Sequence, residues 1–109
     1  MAPTFAVAVS LDEFRPGAVL VTASGEIDMA TAPKLRAAIL AQVNGKPVDI
    51  VVDLSAVSFL DSSGIAALVA GYRRVEETGG AFTVRNPQPR VQRVLQLSGL
   101  ANVFAIGAA

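Results

Sequence analysis

The sequence predicts an α/β domain with a mixed sheet of about five strands and helices mainly on one face. Three observations predict it. Strand-like and helix-like stretches follow one another as strand, strand, helix, strand, helix, strand, helix, strand. The segment Val48–Leu54 is almost continuously apolar, as a strand buried on both faces of a sheet requires. Hydrophobic residues are 52% of the chain against 17% charged, which is enough for a real core and argues against disorder. A chain of 109 residues suits one compact domain over its whole length. Each strand–helix–strand unit imposes a right-handed parallel crossover, which makes the sheet mixed once the first two strands form a hairpin.

The elements can be taken in order. Phe5, Val7, Val9 and Leu11 alternate with Ala6, Ala8 and Ser10, a period of two that gives a strand with one fully apolar face. Arg15-Pro16-Gly17 is a turn, and Ala18–Ala23 returns as the second strand. Ser24-Gly25-Glu26-Ile27-Asp28 breaks that strand. Thr31 then offers a cap, and Pro33 suits a first helical turn. Leu35, Ala38, Ile39 and Val43 recur at helical spacing until Asn44-Gly45 ends the helix.

After Val48–Leu54, Ser55–Leu60 alternates polar and apolar residues and reads as a loop that holds the following serines at the surface. A helix follows to about Thr78, with Ile65, Leu68, Val69, Tyr72 and Val75 on its core face. Gly79-Gly80 stops it. Ala81–Arg85 is a short strand, and Asn86-Pro87-Gln88-Pro89 leads into a third helix marked by Val91, Val94, Leu95 and Ser98, with Arg90 and Arg93 in solvent. Val103–Ile106 is a last edge strand, and Gly107–Ala109 a frayed end.

The junction at Asp61-Ser62-Ser63-Gly64 has two readings. A helix N-terminus has unpaired backbone N–H groups and partial positive charge, and Asp and Ser are favoured caps there, so the four residues serve as a cap. Alternatively, one serine is an exposed phosphate acceptor. The next two turns carry Ala66, Ala67 and Ala70 on the outer side. Small residues there serve either tight packing or a flat patch that a partner approaches closely.

Composition excludes several functions. With no cysteine, disulfides and thiol catalysis are out. With no histidine, Ser-His-Asp triads and imidazole acid–base work are out too, and zinc loses both its favoured ligands. The formal charge is zero and no Lys/Arg run appears, so no nucleic-acid partner is expected. Met1-Ala2-Pro3-Thr4 lacks a basic targeting region, and the apolar run Ile65–Tyr72 is far shorter than the roughly 20 residues of a membrane span. No membrane partner and a cytoplasmic location are expected. No Gly-rich loop ends in Lys-Ser or Lys-Thr, so no nucleotide cofactor is expected on this chain.

The sequence resembles the STAS domains, and more closely the single-domain anti-sigma factor antagonists of bacteria. The likeness covers nearly the whole chain. It rests on Gly25-Glu26-Ile27-Asp28 and on Val52-Asp53-Leu54-Ser55-Ala56-Val57-Ser58-Phe59-Leu60-Asp61-Ser62-Ser63-Gly64. Gly79-Gly80 and Val94-Leu95-Gln96-Leu97-Ser98-Gly99-Leu100 reinforce it. In that family the serine directly after the Asp of this turn is phosphorylated, which implies Ser62 here. The resemblance also implies a partner that is both an anti-sigma factor and a serine kinase and that holds the donor ATP. The unmodified antagonist binds it and frees the sigma factor, the phosphorylated form does not, and a metal-dependent serine phosphatase resets the switch. Asp28 would lie near Ser62 and contact the kinase, Asp61 would flank the acceptor, and Ser63, Gly64, Ala66, Ala67 and Ala70 would complete the partner face.

Family members commonly carry a further helix after the last strand, whereas this chain stops soon after Ile106. That helix is either absent or trimmed. A trimmed helix leaves apolar surface, so a monomer or weak dimer is expected. Two other functions compete: a STAS-type accessory subunit of a membrane lipid or anion transporter, and a small hydrolase using Ser62. The hydrolase lacks a base and a Gly-x-Ser-x-Gly elbow. The intact Asp-Ser-Ser-Gly turn and the stand-alone length favour the phosphorylated switch, which is not an enzyme, over the transporter subunit.

Overall fold

A computed structural model describes residues 4–107. The elements are β1 (Ala6–Leu11), β2 (Val19–Ile27), α1 (Ala32–Leu40), β3 (Ile50–Leu60), α2 (Ser62–Glu77), β4 (Phe82–Arg85), α3 (Pro89–Leu97), a 3₁₀ turn (Leu100–Asn102) and β5 (Ala105–Gly107). The sheet has five strands in the order β1-β2-β3-β4-β5. The hairpin β1–β2 is antiparallel and every later pairing is parallel, so the sheet is mixed as expected.

The pleat sorts side chains between two faces. Val21, Ile50, Val52, Leu54 and Val84 join Leu35 and Ile39 of α1, Leu68 and Val75 of α2, Val91 and Leu95 of α3, and Phe104 in one buried cluster. Tyr72, Phe82 and Phe104 stack edge-on or tilted at its margin, with centroids 5.4–6.2 Å apart. The helices α1 and α2 approach closely: a Cβ added at Gly71 would lie 2.7 Å from Cγ2 of Ile39.

The clearest departure from the sequence reading lies at the ends of β2 and β3. The second strand does not break at Ser24-Gly25, and Ser55–Leu60 is strand rather than loop. Each extension supplies the other's partner: Ser24 pairs with Ala56, Gly25 with Val57, Glu26 with Phe59 and Ile27 with Leu60. Register shifts on either side of Ser24-Gly25 absorb the irregularity. Gly25 takes φ +90°, and a Cβ there would meet the backbone of Phe5 at 3.0 Å, so only glycine carries the strand through this bulge.

Other boundaries shift less. Helix α1 ends at Leu40, short of Asn44-Gly45, because Gln42 and Val43 donate to carbonyls three residues back and tighten the chain into turns. The last strand starts at Ala105 rather than Val103, after Phe104 has turned into the core. Of the expected frayed end, Gly107 closes β5, while Ala108 and Ala109 lie outside the described residues, as do Met1–Pro3. The apolar face of β1 is only partly covered. Phe5 and Val7 pack against the core, but Val9 is 44% and Leu11 77% exposed at the open edge of the sheet.

Candidate functional site

The site lies where β2 and β3 end side by side. Ile27 and Leu60 are register partners, and the N–H of Asp61 donates to the carbonyl of Ile27 at 3.2 Å. The two strands therefore release their following turns next to each other. One turn begins at Asp28 and leads into α1; the other begins at Asp61 and leads into α2.

An aspartate carboxylate accepts backbone N–H groups in both turns, but only Asp61 caps a helix. Asp61 is extended (φ −108°, ψ −169°), and its Oδ1 accepts N–H bonds from Ser63 at 2.8 Å and Gly64 at 3.4 Å. Its carbonyl accepts the N–H of Ile65, which starts the helical ladder. Oδ1 of Asp28 accepts from the N–H groups of Ala30 at 2.9 Å and Thr31 at 3.1 Å. The Thr31 hydroxyl accepts the N–H of Asp28 and donates to the carbonyl of Glu26, both at 2.9 Å. Thr31 thus braces the turn from within, although it makes no side-chain bond to α1 of the usual N-cap kind.

Ser62 is the first residue of α2 and is exposed; Ser63 is half-buried. Gly64 is buried, and a Cβ there would lie 2.2 Å from Cδ1 of Leu60 and 2.8 Å from Cγ2 of Ile27. The absence of a side chain lets α2 start directly against the two strand ends, which pushes Ser62 outward. Gly64 therefore acts from beneath the surface. The same holds for Ala67, which is 3% exposed and belongs to the core. Of the three alanines, only Ala66 is fully on the outside; Ala70 is half-buried. The small residues of α2 serve packing and surface at once, rather than forming one flat outer patch.

The structure adds a feature that the sequence reading passed over. A groove of about 360 Å³ runs between the N-terminal halves of α1 and α2, lined by Met29, Ala32, Pro33, Arg36, Ser63, Ala66 and Ala67. Met29 stands at its mouth, 80% exposed. An apolar side chain directly after Asp28 was the available signal. Its meaning depends on α1 and α2 packing together, which local periodicity does not report.

At the other end of the sheet, the turn after β1 folds over the face opposite the helices. Arg85 of β4 grips Asp12 through two bonds, Nη1 to Oδ1 at 2.6 Å and Nη2 to Oδ2 at 3.0 Å. Both residues are 8% exposed. Arg15 donates to Oγ1 of Thr83 at 3.2 Å, and the Arg85 guanidinium lies 5.4 Å from the centre of the Phe14 ring. Hydrogen bonding from Arg85 holds the Asp12 carboxyl down at about 2, against the opposing effect of burial, with the Arg15 N–H helping. Asp12 in turn raises the Arg85 guanidinium.

Among the described residues, no cluster of acidic side chains is placed to hold a metal ion, and no helix is long and apolar enough to cross a membrane. What the site offers is an exposed hydroxyl on a capped helix end, beside an apolar groove.

Residues 11–109 match the STAS domain family. The chain is 30% identical over 95 residues to the anti-sigma F factor antagonist of Paenibacillus polymyxa, spanning 86% of this chain and 81% of that protein. A crystal structure of an anti-sigma factor antagonist from Mycobacterium paratuberculosis is 40% identical with a TM-score of 0.77, covering 95% of this chain and 86% of that one. The antagonist SpoIIAA resembles it in two forms. The unphosphorylated form has a TM-score of 0.76 at 29% identity, covering 94% of this chain and 88% of that one. The phosphorylated form, from Bacillus, has a TM-score of 0.70 at 28% identity, covering 94% and 91%. With a family match that runs from the end of β1 through β2 to β5, the helices and the capped turn, this chain belongs to the STAS domain family.

Proposed function

We propose that this chain is an anti-sigma factor antagonist. In this reading it binds, unmodified, an anti-sigma factor with serine kinase activity, and phosphorylation of Ser62 switches that binding off. The observation that carries the reading is the position of Ser62: exposed, first in α2, and held outward by the packing of Gly64 against Leu60 and Ile27. The names of the similar antagonists support the binding role, and the phosphorylated SpoIIAA supports a phosphate switch in a related chain. The chain acts here as a binding protein in the cytoplasm, with ATP brought by the kinase and the phosphate removed by a separate serine phosphatase.

The cap explains how a phosphate would act. A phosphoserine brings roughly −1.5 to −2 charge and strong acceptor oxygens. An open helix N-terminus would draw those oxygens in. Here Oδ1 of Asp61 already accepts the Ser63 and Gly64 N–H groups. A phosphate on Ser62 would therefore stand outward beside a carboxylate, hydrated and repelled, on the surface that must dock. Losing that hydration and meeting that repulsion would weaken docking without refolding the domain.

The test uses Ser62→Ala and Ser62→Asp proteins as baits in the host lysate, with mass spectrometry of what they retain. A kinase-type anti-sigma factor held by Ser62→Ala and lost by Ser62→Asp is the expected result. Equal retention of transporter subunits by both baits would overturn the proposal.

A further inference from the structure

The strand β1 is the long open edge of the sheet. Among the described residues its only strand partner is β2, so one side of its backbone faces outward. The opposite edge, β5, has three residues, whereas β1 has six, paired to β2 without a register shift from Ala6–Ser24 to Leu11–Val19. Soluble proteins usually protect such an edge with a charge, a proline or a bulge. The sequence AVAVSL has none of these.

We propose that β1 pairs antiparallel with β1 of a second copy, about a two-fold axis perpendicular to the sheet through Val9. Symmetry and the pleat support this register. Such an axis keeps the helix-bearing faces of both copies on the same side, so residues directly opposite must have equal parity along the strand. Val9 then faces Val9 of the second copy, Val7 faces its Leu11, and Ala8 faces its Ser10. Val7, Val9 and Leu11 share the face that Val19, Val21 and Ala23 of β2 turn towards the core, as their register shows. Val9 and Leu11, exposed by 44% and 77%, would gain apolar neighbours there. On the other face Ala6, Ala8 and Ser10 are small and exposed, so no bulky side chain on that face holds the strands apart. No like charges meet across the axis. A second copy is favoured over a foreign strand because this register buries the whole exposed apolar row against itself. One five-residue ladder is small beside a stable interface of roughly 1,600 Å² in total, so the pairing should be weak and concentration-dependent. It does not depend on the phosphate switch.

Sedimentation equilibrium of the purified chain, from micromolar to millimolar concentration, should show a reversible monomer–dimer equilibrium. Val9→Lys would set two like charges facing each other and should raise the dissociation constant more than tenfold, with circular dichroism and thermal unfolding confirming that the domain still folds. The chain has no cysteine, so single-cysteine variants report register cleanly. Under mild oxidation Val9→Cys should cross-link, whereas Ala8→Cys, which faces Ser10, should stay monomeric. A monomer throughout the range, undiminished dimer in folded Val9→Lys, or preferential cross-linking of Ala8→Cys would overturn the proposal.

Discussion

The turn at Asp61 and the turn at Asp12 each close a strand with an aspartate, at opposite ends of the sheet. Their local chemistry is nearly the same. Asp61 accepts the N–H of Ser63 two residues on, and Asp12 accepts the N–H of Arg15 three residues on, both at 2.8 Å. Their surroundings differ. Arg85 reaches across from β4 and takes both oxygens of Asp12, so that turn is locked and covered. Asp61 spends Oδ1 on its own helix, and the turn leaves Ser62 in solvent. One local device thus yields a clamp where a distant side chain arrives, and a presented hydroxyl where none does.

The sharpest way to separate the two turns is Ser62→Asp. On the proposed switch it lowers affinity for the kinase more than a hundredfold, about 3 kcal/mol. Stability should stay within about 0.5 kcal/mol of the parent, as for an ordinary surface change. Calorimetric titration with the captured kinase, alongside urea unfolding, reads both quantities. Wild-type affinity would contradict charge repulsion at this turn.

Gly64→Ala probes the packing that pushes Ser62 outward. Its methyl overlaps Leu60 and Ile27, so urea unfolding should show a loss of about 1–3 kcal/mol. Asp61→Ala removes the cap and should cost about 1 kcal/mol in the same experiment. An Asp61→Ala protein as stable as the parent would mean that the Ser63 and Gly64 N–H groups are equally well served by water.

Acid tests the Asp12 turn. Its folded carboxyl titrates at about 2, below the ordinary 3.8, so it binds fewer protons than the unfolded chain in that interval. The stability it contributes is complete above about pH 4 and is lost as the pH falls towards 2. Asp12→Asn should flatten that part of the pH–stability profile and leave kinase binding unchanged. An unaltered slope would place the acid sensitivity elsewhere.

The order of the elements was legible in the sequence because each carries its own period: two for Phe5–Leu11, helical for Ile65–Val75. The candidate turn was legible because Asp-Ser-Ser-Gly ends an apolar strand. What local pattern missed depends on pairing between distant segments. Ser55–Leu60 resembles a loop until Ser24–Ile27 is beside it, and Gly25 looks like a break until its positive φ is seen to carry a bulge. Ala66 and Ala67 are alike in sequence, and only the packing of α1 against α2 puts one outside and the other in the core. Asp12 and Arg85 stand 73 residues apart with no shared motif to join them.

The most direct test of the central claim is phosphosite mapping of the chain isolated from its host, by mass spectrometry of the peptide that carries the Asp61-Ser62-Ser63-Gly64 turn. The account predicts phosphate on Ser62 and its loss in Ser62→Ala. Phosphate confined to Ser63, or an unmodified peptide both before and after the host's sigma factor is activated, would contradict it.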